Sequence, residues 1–164
     1  MQKYINANPE SGKRFYQDFH AKGKIVMLNL LKFREKADYT NFSEIKPKDE
    51  IKGEEAYQVY LKKTLLELKK AGSRIIYYGK SNNFLIGPES ENWDAVLVVE
   101  HESVLKFMEF AQNKDYLKNA GHRTAHWKTP DYCLQLKSRT TRNNQEFFRS
   151  EWAYNVGDNH NQNS

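Results

Sequence analysis

The chain has 164 residues, a formal net charge of +5, and a composition that is 38% hydrophobic and 13% aromatic. That length suits one domain with a core of its own, built without disulfide or metal staples. A single cysteine, Cys133, excludes an intramolecular disulfide, and no apolar run approaches the roughly 20 residues that cross a bilayer.

The N-terminus lacks the apolar run of a signal peptide, so a cytoplasmic location is expected. The 26 basic and 21 acidic residues are interspersed, as in Glu54-Glu55 followed by Lys62-Lys63. This is the pattern of solvated helix faces, and nucleic-acid binding through Arg139, Arg142 and Arg149 ranks low because no stacking platform accompanies them.

In chain order, Asn8-Pro9-Glu10 predicts a short helix to about Ala21, with Phe15 and Phe19 on its buried face. A strand follows over 25–33, where alternation puts Met27, Asn29, Leu31 and Phe33 on one side and Val26, Leu28 and Leu30 on the other. Asn29 is conspicuous because it is a lone amide in an apolar run. Left unpaired away from water it costs roughly 1–3 kcal/mol, so it faces either an internal hydrogen-bond network or a pocket. Residues 34–52 read as a long charged excursion, a flap or an arm. From Gly53 to Ala71, Tyr57, Tyr60, Leu61, Thr64, Leu65 and Leu68 recur at helical spacing, and Gly72 closes the helix.

Arg74 to Gly79 is then a strand, Phe84-Leu85-Ile86 a short continuation, and Trp93 to His101 a second long strand. Ser103 caps a helix carrying Val104, Phe107, Met108 and Ala111, with a further turn at Tyr116 and Leu117 that ends at Gly121. A last strand occupies part of 122–136, interrupted by Pro130. This order predicts an α+β fold, a ferredoxin-like βαββαβ domain over 1–137 with an added N-terminal helix, both helices on one face of an antiparallel sheet. The other face is left apolar, which predicts a homodimer forming a dimeric α/β barrel. Residues 138–164 form a polar tail with Phe147, Phe148, Trp152 and Tyr154, its end expected to be disordered.

The ordered set Asn29-Leu30-Leu31-Lys32-Phe33-Arg34, Gly53 with Tyr57 and Tyr60, Gly72 and Arg74, Trp93-Asp94, Ser103 with Phe107, and Tyr116 with His122-Arg123 resembles the DUF1330 family of dimeric α/β-barrel proteins. The resemblance covers about 24–137 and implies a pocket between sheet and helices, with no established reaction. Proteins on the same barrel include cofactor-free monooxygenases, isomerising enzymes and haem-binding enzymes, a breadth that forbids transferring chemistry on fold alone. His101-Glu102 before Ser103 and the aromatic tail depart from the family pattern.

Three residues are the catalytic candidates. Asn29 and Arg74 together suit an acidic or quinone-like small molecule, since a guanidinium forks onto a carboxylate, although Arg74 paired to Asp94 or a helix acid is the plain alternative. His122 is the candidate proton carrier. Tyr57, Tyr60, Trp93, Tyr116 and Arg123 are the expected substrate-binding residues, against a reading of the rings as ordinary core. His122 and His126 without an adjacent acid make a weak metal pair, so no metal and no cofactor is expected. His101 reads as a strand-end residue and Cys133 as buried and inert. The functions that follow are a cofactor-free enzyme of oxygenase or isomerase type, a non-catalytic ligand-binding or interaction protein, and, on Asn29, Trp93 and His101, a haem-binding protein.

Overall fold

The computed structural model describes residues 8–127 and 132–137. The C-terminal tail, Pro130, and Arg139, Arg142 and Arg149 lie outside the described residues. Helix α1 (Pro9–Phe19) opens as expected: the Asn8 side chain accepts from the Ser11 amide at 2.7 Å, and Pro9 stands where no N–H is needed. Its Phe15 and Phe19 pack on Ile25, Met27 and Val104.

Four strands follow, β1 (Ile25–Leu31), β2 (Arg74–Lys80), β3 (Ala95–His101) and β4 (Tyr132–Lys137), in the order β2-β3-β1-β4 with every pair antiparallel. With α2 (Gly53–Lys70) between β1 and β2, and α3 (Val104–Ala111) and α4 (Lys114–Ala125) between β3 and β4, this is the ferredoxin-like arrangement. Register sets the two faces. Asn29 stands opposite Leu97 and Cys133, so Met27, Asn29, Leu31, Leu97 and Val99 look toward the helices. Leu97 and Val99 share a buried cluster there with Tyr57, Tyr60, Leu68 and Phe110. The clusters of buried side chains lie on the helix side, whereas Val26, Leu28, Leu30, Val96 and Val98 on the other face are half-buried and Leu134, Leu136 and Tyr77 are exposed.

Several boundaries differ from those read in the sequence. Strand β1 ends at Leu31 and β3 begins at Ala95, because Asp94 intervenes as a tie: its amide donates to the Leu31 carbonyl at 2.8 Å, while its carboxylate accepts from the Phe33 amide at 2.6 Å and from Lys32 at 2.9 Å. Residues 84–86 are not a strand; they pair with nothing described, and Leu85 and Ile86 stand 99% and 91% exposed. The second helical segment is two helices. Asn113 breaks it by accepting from the amides of Asp115 and Tyr116, and α4 then runs through Gly121 to Ala125, carrying His122 in a helix rather than a strand.

Gly121 sits mid-helix because a Cβ there would come within 2.6 Å of Ile45 and 2.7 Å of Phe42. The excursion is therefore no free flap. Its 3₁₀ turn (Ser43–Ile45) lies on α4, and Tyr39 packs with Ala56 of α2 and Ala125 of α4. Gly53 has a similar reason, since its missing Cβ leaves room for the backbones of Arg34 and His126 at 2.7 Å.

Candidate functional site

Between the helix face of the sheet and α2, α3 and α4 lies a cavity of about 350 Å³, within the range of small-molecule sites. Strand periodicity delivers Met27, Asn29, Leu97, Val99 and His101 to its floor. Helical periodicity brings Tyr57, Tyr60, Thr64 and Leu68 from α2, Phe107 and Phe110 from α3, and Tyr116, Ala120, Arg123 and Thr124 from α4. Two other hollows, of about 410 and 560 Å³, are bounded by charged residues such as Lys52 and Glu54 in one and Lys36, Asp49 and Glu50 in the other.

The aromatic wall is continuous. Ring centres run from Phe107 to His101 at 5.0 Å, His101 to Phe110 at 6.4 Å, Phe110 to Tyr116 at 4.3 Å, Tyr116 to Tyr60 at 6.2 Å and Tyr60 to Tyr57 at 5.4 Å. The Tyr60 and Tyr116 hydroxyls are 3.5 Å apart. Burial first, and then Tyr116, hold the Tyr60 hydroxyl well above its ordinary value, against the opposing charge of Arg123. The Tyr60 phenol is therefore a neutral donor near neutral pH.

Asn29 resolves toward the pocket. Its Nδ2 donates weakly to the carbonyls of Met27 at 3.4 Å and Leu97 at 3.3 Å, which turns Oδ1 away from them and leaves it without a partner among the described residues. His101 is the residue that sequence reasoning undervalued. It is 3% exposed, its Nδ1 lies 2.7 Å from the Ser73 hydroxyl, and its Nε2 has no described protein partner. Burial lowers its pKa to about 4, so the ring is neutral at pH 7. Because a hydroxyl can donate or accept, Ser73 supports either tautomer, and Nε2 can hold or take a proton. The signal was in the sequence: the alternation that places Leu97 and Val99 on the inner face places His101 there too.

Of the other expected residues, Tyr57, Tyr60, Tyr116 and Arg123 line this cavity together with Asn29. Arg74 does not. It stands opposite Glu100, on the other face of the sheet from Asn29, with Nε 2.9 Å from that carboxylate and its side chain 69% exposed. Trp93 is buried ahead of β3 and does not line the cavity with Asn29 and His101. His122 is buried behind the cavity wall, with Nδ1 2.7 Å from the Tyr39 hydroxyl and Nε2 3.1 Å from Lys63. An ammonium only donates, so Nε2 accepts and Nδ1–H donates to Tyr39. Cys133 is exposed on β4 at the cavity edge rather than buried. Among the described residues no three metal-ligating side chains converge, and no helix is long and apolar enough to cross a membrane.

No protein-family model and no curated protein matches the chain. Solved structures do. A protein of unknown function from Rhodopseudomonas palustris, RPA0582, is 29% identical and superposes with a TM-score of 0.71 over 84% of this chain and 98% of its own. The methylated RPA0582 protein gives 28% identity and a TM-score of 0.73 over 87% of this chain and 100% of its own. A dimeric protein of unknown function and ferredoxin-like fold from Bacteroides fragilis is more distant, at 13% identity and a TM-score of 0.37 over 71% of this chain and 97% of its own. The chain thus resembles RPA0582, a structure to which no function is attached, and its ferredoxin-like fold rests on its own element order and sheet topology.

Proposed function

We propose that this protein is a small-molecule enzyme that moves protons without a bound cofactor, acting inside the cavity between sheet and helices. The observation that carries the reading is an aromatic-walled cavity in which Asn29 Oδ1 and His101 Nε2 both lack described protein partners. Two polar side chains that line one aromatic cavity, each with an atom not engaged by a described protein group, favour a polar ligand there. The isomerase type fits these groups best, since a proton shift needs no oxidant: His101 takes a proton from an enolisable carbon and returns it at a second atom. Asn29 orients the substrate, and the hydroxyls of Tyr60 and Tyr116 donate to developing negative charge. An anion seated in the cavity raises the His101 pKa toward the working range. His101 takes the proton-carrying role in this reading because both nitrogens of His122 are engaged elsewhere.

The test is hydrogen–deuterium exchange into a panel of enolisable keto acids, followed by proton NMR in D2O. Exchange catalysed by the wild type and lost in H101Q supports the reading. Acids that bind without exchanging above the buffer rate make the protein a non-catalytic binder instead.

We infer further that the protein is a homodimer of the DUF1330 type, joined through the outer sheet face. Support comes from the row of aliphatic side chains there, from Val26, Leu28 and Leu30 to Val96, Val98, Leu134 and Leu136, which is larger than scattered surface apolar residues and matches a barrel-forming sheet pair.

A further inference from the structure

Two buried histidines, His101 and His122, differ in what holds them, and the difference decides which can pass a proton. Nε2 of His122 accepts from Lys63 at 3.1 Å, and its Nδ1 lies against the Tyr39 hydroxyl. An ammonium never accepts, so it pins one tautomer for as long as it stays charged. Nδ1 of His101 lies 2.7 Å from the Ser73 hydroxyl, which can accept a hydrogen bond as well as donate one. The ring itself lines the cavity beside Phe107 and Phe110.

Ser73 is placed by the backbone. Helix α2 ends in a turn where Gly72, with φ of 69°, donates its amide to the Lys69 carbonyl, and Ser73 donates its amide to the Leu68 carbonyl at 3.1 Å. The next residue, Arg74, pairs with Glu100 on β3, so antiparallel register brings Ser73 level with His101. Ser73 is 4% exposed, and no other described side chain hydrogen-bonds the His101 ring. Ser73 is not among the residues that line the cavity, so it acts through His101 and is no nucleophile itself.

We propose that Ser73 is the positioning residue of His101: its hydroxyl accepts from Nδ1–H when the ring acts as a base, leaving the Nε2 lone pair facing the cavity. This rests on the reading of the cavity as a proton-transfer site, and adds the group that makes the basic form of the ring available. In the step a substrate C–H bond breaks, the proton forms an N–H bond at Nε2, and the electron pair stays on the substrate as its enolate. Nδ1–H remains on Ser73 throughout, and Nε2–H then returns the proton to the second substrate atom. Without the hydroxyl, Nδ1–H is a buried donor with no acceptor, whereas a bare Nδ1 lone pair costs less. The ring then settles with its proton on Nε2 and cannot take another there.

The experiment is long-range proton–nitrogen NMR of the full chain near neutral pH, which reads where the His101 ring carries its proton in the wild type, S73A and S73T. Deuterium exchange into phenylpyruvate, resolved into kcat and KM, is measured on the same samples. The wild type and S73T populate the Nδ1–H form; S73A is held in the Nε2–H form, loses at least about tenfold in kcat and keeps KM within about twofold. A merely structural serine would lower the melting temperature without moving the ring proton. S73C, close to serine in size and a weak partner, serves as the readout should S73A fail to fold. An S73A ring with the wild-type proton position, or an S73A kcat within about twofold of the wild type, overturns the proposal and leaves the enzyme reading standing. A wild type held wholly in the Nε2–H form also overturns it. A wild type that never exchanges phenylpyruvate, with a ring proton that moves in S73A and returns in S73T, overturns the enzyme reading and supports the hold of Ser73 on the ring.

Discussion

The Tyr39 hydroxyl lies 2.7 Å from Nδ1 of His122, a buried hydrogen bond that joins the excursion after β1 to the helix that walls the cavity. It is reinforced by the Asp38 amide donating to Ala125 and the Arg34 amide donating to His126. The stretch that reads as a loose charged arm is thereby a strap holding α4 in place.

Removing that bond tests the strap. Tyr39→Phe leaves the His122 Nδ1–H without its acceptor and is expected to lower stability by about 1–3 kcal/mol, read as a shifted urea midpoint with an unchanged slope. A loss under about 0.3 kcal/mol contradicts the bond's structural role.

Acid sensitivity follows from the two buried imidazoles. Burial holds His101 at about 4, and burial together with the Lys63 charge holds His122 below its ordinary value. Unfolding returns both to about 6.5. Between those values the unfolded chain binds more protons, so the contribution to stability is complete above about pH 6.5 and is lost as pH falls toward 4. For His101 the difference corresponds to about 3 kcal/mol at the upper limit. Urea midpoints measured from pH 7.5 to 4.5 should fall for the wild type and fall less steeply for H101Q; parallel curves contradict the assignment to His101.

Two glycines are required by close approach. Gly53→Ala places a Cβ 2.7 Å from backbone atoms of Arg34 and His126, none of which is the movable end of a side chain. Gly121→Ala meets the side chains of Ile45 and Phe42, which can shift. Both variants should be destabilised despite alanine's better helix propensity, Gly53→Ala by about 2–3 kcal/mol and Gly121→Ala by less. Thermal melts give the order directly, and the reverse order refutes this account of the packing.

Dimerisation through the outer sheet face predicts that Val98→Arg, opposite Leu28 on β1, yields a folded monomer. Sedimentation velocity at micromolar concentration decides it: a wild type that sediments as a monomer removes the dimer, and a Val98→Arg protein that remains dimeric moves the interface elsewhere.

Much of the architecture was legible because it rests on periodicity and caps. Asn8, Ser103 and Gly72 act as read, Gly72 with φ of 69°, and the helical spacing from Tyr57 to Leu68 delivers the rings it predicts to the core. Asn29 was legible for a related reason, since a lone amide on an apolar strand face has few places to go. Arg74 was not, because its side depends on cross-strand register with Glu100, a long-range fact that local pattern does not hold. His122 and Arg123 lie one residue apart on α4, yet one faces the strap and the other the cavity. Placing them in a strand, as Gly121 suggested, hid that division; only the contact of Gly121 with Phe42 and Ile45 explains a glycine inside a helix.

The most direct test of the cavity as the functional site is a fragment screen of small aromatic acids by two-dimensional NMR, following the Asn29 side-chain amide and the His101 ring. The account predicts that bound fragments shift these two groups together with Tyr60 and Tyr116, and spare Arg74 and Trp93. Fragments that gather on the strap or around Lys52 and Glu54 while Asn29 and His101 stay unmoved would contradict it.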